Sequence, residues 1–227
     1  MNSDANMVIT IDGPAGTGKS TVANAVARRL GFGFLDTGAM YRAVALEALR
    51  RNADLENARG IAFIAKHVNI DFDWERQPPT LILNGEPVSH LLRNGETSRV
   101  ASLVATVPAV RQVLVEQQQK IGRERGNIVT EGRDQGSVVF PEARFKFYLD
   151  ATPEERARRR IVQLRARGEF HDFNDVLNEI IERDHRDLNR SIGPLKVPQG
   201  ARVIDTTDLA QEQVIDQIVA VVEGAGA

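Results

Sequence analysis

The sequence predicts an α/β protein, a five-stranded parallel sheet flanked by helices and interrupted by one small antiparallel insert. Apolar runs of strand length alternate with longer stretches of helical period. The alternation fails once, between about residues 61 and 105, and a glycine-rich loop joins the first strand directly to the first helix.

In chain order, Val8 to Asp12 is a short apolar run closed by an acid, and Lys19 to Leu30 behind the glycine loop has helical period. Phe32 to Asp36 repeats the strand pattern and Ala39 to Arg51 the helical one. From 61 to 105 the pattern turns to short, locally paired segments. Val68 to Trp74 and Pro79 to Val88 flank a Pro-Pro turn, and Asn84-Gly85 marks a second tight turn, which together predict a small antiparallel unit. The core pattern resumes with a helix over Val110 to Arg125 and strands over Asn127 to Glu131 and Phe145 to Asp150. Helices follow over Pro153 to Arg167 and Asp175 to Asn189, then a strand over Arg202 to Asp205 and a helix over Leu209 to Val222. The expected organisation is a core of residues 1–60 and 106–227 with an insert at 61–105. In open α/β sheets ligands sit beyond the carboxyl ends of the strands, so such an insert either shapes the site or is a structural elaboration. The last residues, Gly224 to Ala227, are expected to fray.

Composition bounds the function. With 42% hydrophobic and 26% charged residues in 227, the chain has the balance of a soluble globular protein with a substantial core. After the polar Met1 to Asn6, the apolar run Met7 to Ile11 is too short for a signal-peptide core or a membrane span, so neither export nor a membrane partner is expected. The absence of cysteine removes disulfides and thiolate chemistry and fits a reducing, cytoplasmic location. His67, His90, His171 and His185 are scattered, without metal-ligand spacing. A net charge of −2 provides no global basic field for nucleic acid. Of the 29 basic residues five are lysines, leaving 24 arginines, whose planar forks match phosphate oxygens where their positions allow.

The strongest signal is Gly13-Pro14-Ala15-Gly16-Thr17-Gly18-Lys19-Ser20, a G-x-x-x-x-G-K-[ST] loop in its strand-to-helix setting. Its glycines let several backbone N–H groups turn toward one anion, and the helix adds its positive end. Lys19 is placed to reach β- and γ-phosphates, Ser20 to sit on Mg²⁺, and Thr21 to support the α-phosphate of ATP. A guanine-reading Asn-Lys-x-Asp stretch and a hydrophobic run ending in Asp-Glu are both missing, which disfavours a GTPase switch and a motor ATPase. Asp36 and Glu131 each end a strand, and either could hold magnesium through water.

A kinase of a small anionic acceptor needs a second anion site facing the γ-phosphate, because two polyanions repel. Three clusters offer one. Asp36-Thr37-Gly38-Ala39-Met40-Tyr41-Arg42 lies where a strand gives way to a helix, and Glu131-Gly132-Arg133-Asp134 lies at another strand end. In the third, Arg183, Asp187 and Arg190 share one face of a helix at i, i+4 and i+7; a solvated, salt-bridged helix is the competing reading. Arg156, Arg159 and Arg160 form a further helical face, continued by Arg165 and Arg167. That stretch, about 156–172, reads as a mobile lid that neutralises the transferring phosphoryl group, or else as a solvated basic face or an RNA contact.

The segments ITIDGPAGTGKST (Ile9 to Thr21), FLDTGAMYRA (Phe34 to Ala43), EGRDQGSVVFPEA (Glu131 to Ala143), YLDATPEERARRR (Tyr148 to Arg160) and ERDHRDLNRSIGPL (Glu182 to Leu195) resemble bacterial cytidylate kinases nearly end to end. The resemblance implies a P-loop kinase core, a nucleoside-monophosphate-binding insert and a short lid, with ATP and CMP or dCMP as substrates and Mg²⁺ accompanying ATP. It implies that Ser102, Arg111 and Asp134 read the cytosine edge and that Arg42, Arg133 and Arg190 meet the acceptor phosphate, with Asp36, Thr37 and Tyr41 beside them. Asp187 and Arg183 fall to the sugar side, and Lys19, Arg133, Arg159 and Arg190 to catalysis. Thr37 stands where many members carry serine, so the hydroxyl is kept and a methyl is added. A monomer is expected. The rivals are a kinase of another acceptor, such as UMP, shikimate or dephospho-CoA, and a nucleotide-dependent RNA-binding or switch protein.

Overall fold

A computed structural model of the chain describes residues 6–225; residues 1–5 and 226–227, which hold most of the polar start and part of the end expected to fray, lie outside the described residues. The elements run β1 (Val8–Asp12), α1 (Lys19–Leu30), β2 (Gly33–Asp36), α2 (Thr37–Arg50), α3 (Ala58–His67), β3 (Ile70–Asp73), β4 (Thr80–Leu83) and β5 (Glu86–Pro87). They continue with α4 (Gly95–Val104), α5 (Pro108–Arg125), β6 (Ile128–Gly132), a π-turn (Gln135–Val139), β7 (Phe145–Asp150), α6 (Pro153–Arg165), α7 (Phe173–Leu188), β8 (Arg202–Asp205) and α8 (Gln211–Gly224).

Five strands form a parallel sheet in the order β2-β6-β1-β7-β8. The central strand β1 shows why the sheet holds and why the site sits at its end. Its alternate side chains Ile9 and Ile11 are fully buried against Val22 and Val26 of α1 and the inner face of α8, each contributing about 1.5–3 kcal/mol. The intervening Thr10 and Asp12 face the other way and are equally buried. The parallel register sets Asp36 beside Glu131 and Asp12 beside Gly132, so three acids gather at the carboxyl ends of three neighbouring strands.

The antiparallel insert is present as β3-β4-β5, and Asn84 (φ 51°) and Gly85 (φ 85°) form the tight turn between its last two strands. The sequence pattern predicts only paired segments from 61 to 105, and here the structure differs: helices α3 and α4 flank the small sheet. Both are ten residues long, and α4 opens on glycine and carries β-branched Thr97, Val100 and Val104, so its helicity comes from packing against α2 rather than from propensity. Met40, Val44, Ile61, Ile64, Leu81, Leu83, Val100, Val104 and Leu114 belong to one continuous apolar cluster shared by insert and core. Helices α6 and α7 form a hairpin around a smaller cluster of Ala157, Ile161, Leu164, Val176 and Ile180.

Candidate active site

The loop between β1 and α1 closes tightly under the sheet's end. Gly13 has φ +144°, and a Cβ there would lie 2.0 Å from the Leu149 carbonyl oxygen, so only glycine fits. Gly18 caps α1 in the left-handed conformation, φ 87°. Lys19 is 5% exposed and its Nζ donates to the Pro14 carbonyl at 2.6 Å and to Thr17 Oγ1 at 3.4 Å. Burial, then the positive charge of Arg133, lowers its pKa to about 7. The loop lysine lies close enough to Arg133 and Arg183 for their positive charges to disfavour its own.

Ser20 Oγ donates to Glu131 Oε1 at 2.7 Å. Burial and the neighbouring Asp36 charge push Glu131 upward, whereas Asp36, though also buried, is held below the usual carboxylate range by Arg42 and the Ala39 amide. Two mutually repelling carboxylates beside a hydroxyl form an all-oxygen donor set that suits Mg²⁺, an ion that takes one or two protein ligands beside substrate phosphates. The fit is therefore good, with Ser20 and Glu131 nearest and Asp36 behind. Thr21 is exposed on the first turn of α1.

Asp36 caps α2, accepting from Ala39 N at 2.8 Å, and receives Arg42 Nη2 through both oxygens at 2.9 and 3.1 Å. Thr37 Oγ1 donates to the Glu131 carbonyl at 2.7 Å, tying α2 to β6. A cavity of about 440 Å³ opens beside Asp36 and Arg42 toward Arg93 and the insert.

Across the cleft, Asp187 bridges two guanidiniums, accepting from Arg133 Nε at 2.8 Å and lying 3.8 Å from Arg190 Nη1. Helix α7 ends at Leu188, two residues before the predicted helical face ends, so Arg190 enters from the following turn and donates to the Gly193 carbonyl at 2.7 Å. Arg183 also points inward, and its buried Nε has no partner among the described residues. Burial and the nearby Arg133 charge lower its pKa to about 10, so it stays charged at neutral pH. Arg133 and Arg190 share Asp187, and no carboxylate is within salt-bridge distance of Arg183 among the described residues, so an anionic guest would find an unpaired guanidinium here.

At the far end Arg111 and Asp134 form a buried ion pair, their side chains 1% and 5% exposed. Burial raises Asp134 despite Arg111. The Arg111 guanidinium lies 5.7 Å from the Tyr41 ring centroid, and its Nε and Nη1 have no partners among the described residues. Ser102, on α4, is 5% exposed and accepts from Arg186 Nε at 3.3 Å.

The predicted arginine stripe divides in the structure. Arg156 is buried, with Nη1 donating to the Ala15 carbonyl at 3.1 Å and to Asp184 at 2.6 Å. Arg159 instead donates to Thr206 Oγ1 at 3.0 Å and to the Thr206 carbonyl at 2.5 Å, held at the end of β8. Arg167 reaches the insert, donating to the Arg93 carbonyl at 2.6 Å. Two supports lie outside the residues read from the sequence. Asp12 accepts from the amides of Gln135 and Gly136 at 2.8 and 2.7 Å, fixing the segment that carries Arg133 and Asp134. Asp184 holds Arg156 against the loop. An acid closing a fully buried strand is the sequence signal that marks Asp12; Asp184 has no comparable mark.

The family model described as "Cytidylate kinase" matches residues 9–224. The cytidylate kinase of Caldanaerobacter subterraneus subsp. tengcongensis is 48% identical over 210 residues, covering 92% of each chain. Cytidylate kinase 1 of Haemophilus influenzae is 44% identical over 220 residues, covering 97% of this chain and 95% of its own. Among solved structures, a gluconokinase from Sinorhizobium meliloti superposes with a TM-score of 0.50 at 13% identity, covering 97% of this chain and 93% of its own, a likeness of fold alone. A phosphate loop at the central strand's end, a facing arginine cluster and a near-complete match to the family model lead to one conclusion: this chain belongs to the cytidylate kinase family.

Proposed function

We propose that the chain transfers the γ-phosphoryl group of ATP to CMP, and to dCMP, giving ADP and CDP or dCDP. The observation that carries the reading is the approach of Arg133 and Arg183 to the buried loop lysine, close enough for their charges to lower the Lys19 pKa, a gathering of cations that phosphate-bearing guests would neutralise.

The loop from Gly13 to Thr21 holds the donor's phosphates through backbone amides and Lys19. Ser20, with Glu131 and Asp36 behind it, would hold Mg²⁺, which would supply charge neutralisation on the donor phosphates. Arg42, Arg133 and Arg190 take the acceptor phosphate, freed from their carboxylate partners Asp36 and Asp187 as the anion enters. Arg183 and Asp187 hold the sugar, and Tyr41 and Thr37 shape the pocket beside it. The acceptor phosphate is largely dianionic near neutral pH, so its oxygen attacks the γ-phosphorus in line without a protein base. Lys19 and the arginines stabilise charge on the transferring group. Arg159 joins them once the α6–α7 lid, residues 156–172, closes and its Thr206 bonds are exchanged.

Base choice follows from the buried pair. Cytosine offers an N4 donor beside an N3 acceptor, so Asp134 accepts from the former while Arg111 and Ser102 serve the ring edge. Uracil reverses those polarities and leaves buried groups unpaired. Residues 61–105 act as the acceptor-binding insert. We extend the reading to a monomer acting in the cytoplasm on small molecules, without nucleic acid or membrane as partner. A coupled assay with AMP, CMP, dCMP, dTMP and UMP tests the assignment: CMP and dCMP are turned over fastest, and faster turnover of UMP, AMP or dTMP overturns it.

A further inference from the structure

Arg186 stands outside the residues assigned above. Arg183 and Asp187 on the same helix line the acceptor side of the cleft, whereas Arg186 is turned toward α4, where its Nε–H donates to Ser102 Oγ at 3.3 Å. Its Nη1 lies 3.7 Å from Glu182 one turn earlier, which steers the guanidinium from the other side. Among the described residues that guanidinium is the hydrogen-bond partner of the buried Ser102 hydroxyl.

We infer that Arg186 is a positioning residue for base selection, fixing the Ser102 hydroxyl as a hydrogen-bond donor toward the acceptor's pyrimidine ring. The inference rests on the reading of Ser102 as a base-contact residue. A hydroxyl has one hydrogen and two lone pairs. A guanidinium has no acceptor and stays protonated at any working pH, so the Arg186–Ser102 bond runs in one direction only. One Oγ lone pair is thereby occupied and the hydroxyl hydrogen is turned away from the guanidinium; on the reading of Ser102 as a base contact, it is turned toward the acceptor's ring. A donor there suits the N3 acceptor of cytosine. Uracil carries an N–H at the same place, so two donors meet and neither is paired. The adjacent positive charge also polarises the O–H bond and strengthens it as a donor. Without Arg186 the hydroxyl turns freely and accepts from uracil as readily as it donates to cytosine.

Steady-state kinetics with CMP and UMP on Arg186→Ala, Arg186→Lys, Ser102→Ala and the Arg186→Ala/Ser102→Ala double variant test this. In Arg186→Ala the ratio of kcat/KM for CMP over UMP falls about fivefold to tenfold, the scale of one partly exposed charge-assisted bond. The loss lies in KM for CMP, KM for ATP stays put, and Arg186→Lys recovers part of the ratio. On the Ser102→Ala background, replacing Arg186 changes the ratio by less than about twofold, because the two act as one unit. An unchanged ratio in Arg186→Ala, or an equal fall on both backgrounds, overturns the assignment. Simple loosening of α7 from α4 raises both KM values alike and also overturns it. A wild-type protein without preference for CMP removes the acceptor reading and this role with it, whereas a wild type that prefers CMP and keeps that preference in Arg186→Ala sinks only the role of Arg186.

Discussion

Replacing Arg111 with methionine tests the buried pair to which we assign base choice. The substitution keeps most of the side-chain volume and removes the charge, leaving Asp134 in a site where its side chain is 5% exposed and water cannot take the partner's place. Breaking such a pair from one side costs about 3–5 kcal/mol. Arg190 and Arg133 still act on Asp134, so the lower end, about 3 kcal/mol, is expected. The cost has a pH signature. Burial already raises Asp134 above its unfolded value near 3.8, and losing Arg111 raises it further. The folded variant then binds more protons than the unfolded chain between that value and its own higher pKa, so its stability, relative to wild type, is greatest in acid and is lost as pH rises through the window. Urea titrations at pH 5 and pH 8 read this directly, with unchanged m-values as the control for two-state unfolding. On the proposed base reading Arg111 serves the cytosine edge directly, so kcat/KM for CMP falls about 100-fold, with a smaller fall for UMP. A cost below about 1 kcal/mol at pH 8, or one larger at pH 5 than at pH 8, would refute the pair as described.

Two further predictions concern the phosphates. Lys19, lowered to about 7 in the free protein, becomes fully charged against ATP, so binding at pH 8 takes up most of one proton; calorimetry in buffers of different ionisation enthalpy measures it, and equal uptake in Lys19→Met contradicts the source. Arg133→Ala and Arg190→Ala each raise KM for CMP at least about thirtyfold, as loss of a buried guanidinium–phosphate contact requires, while ATP affinity measured by equilibrium dialysis changes little; equal loss of ATP binding in both reverses the assigned sides of the cleft.

The core was legible because four of its five strands are mostly buried on both faces and all five end on glycine or acid. Val8–Asp12, Phe145–Asp150 and Arg202–Asp205 match the sequence reading residue for residue, and the other two core strands shift by one. The phosphate loop was legible for a different reason, since its glycines, lysine and serine form one contiguous motif between a strand and a helix. The helices α3 and α4 were not, because Pro78-Pro79 and Asn84-Gly85 dominate the local pattern and the forces that make 95–104 helical come from α2. The site divides likewise. Nothing in spacing joins Arg111 to Asp134 or Ser102 to Arg186, and family likeness alone points to the first pair. Nor does a run of arginines reveal that Arg156 is buried against Ala15 while Arg159 turns to Thr206; the same stripe reads equally as solvated.

The apolar cluster that runs unbroken from Met40 and Leu114 into Ile61, Leu81 and Val100 has a consequence for engineering and for motion. Excising 61–105 and rejoining the ends would strip oil from both sides of a single droplet, leaving α2 and α5 with wet, sticky faces instead of a trimmed enzyme. For the same reason any swing of the segment would have to shear a packed apolar seam.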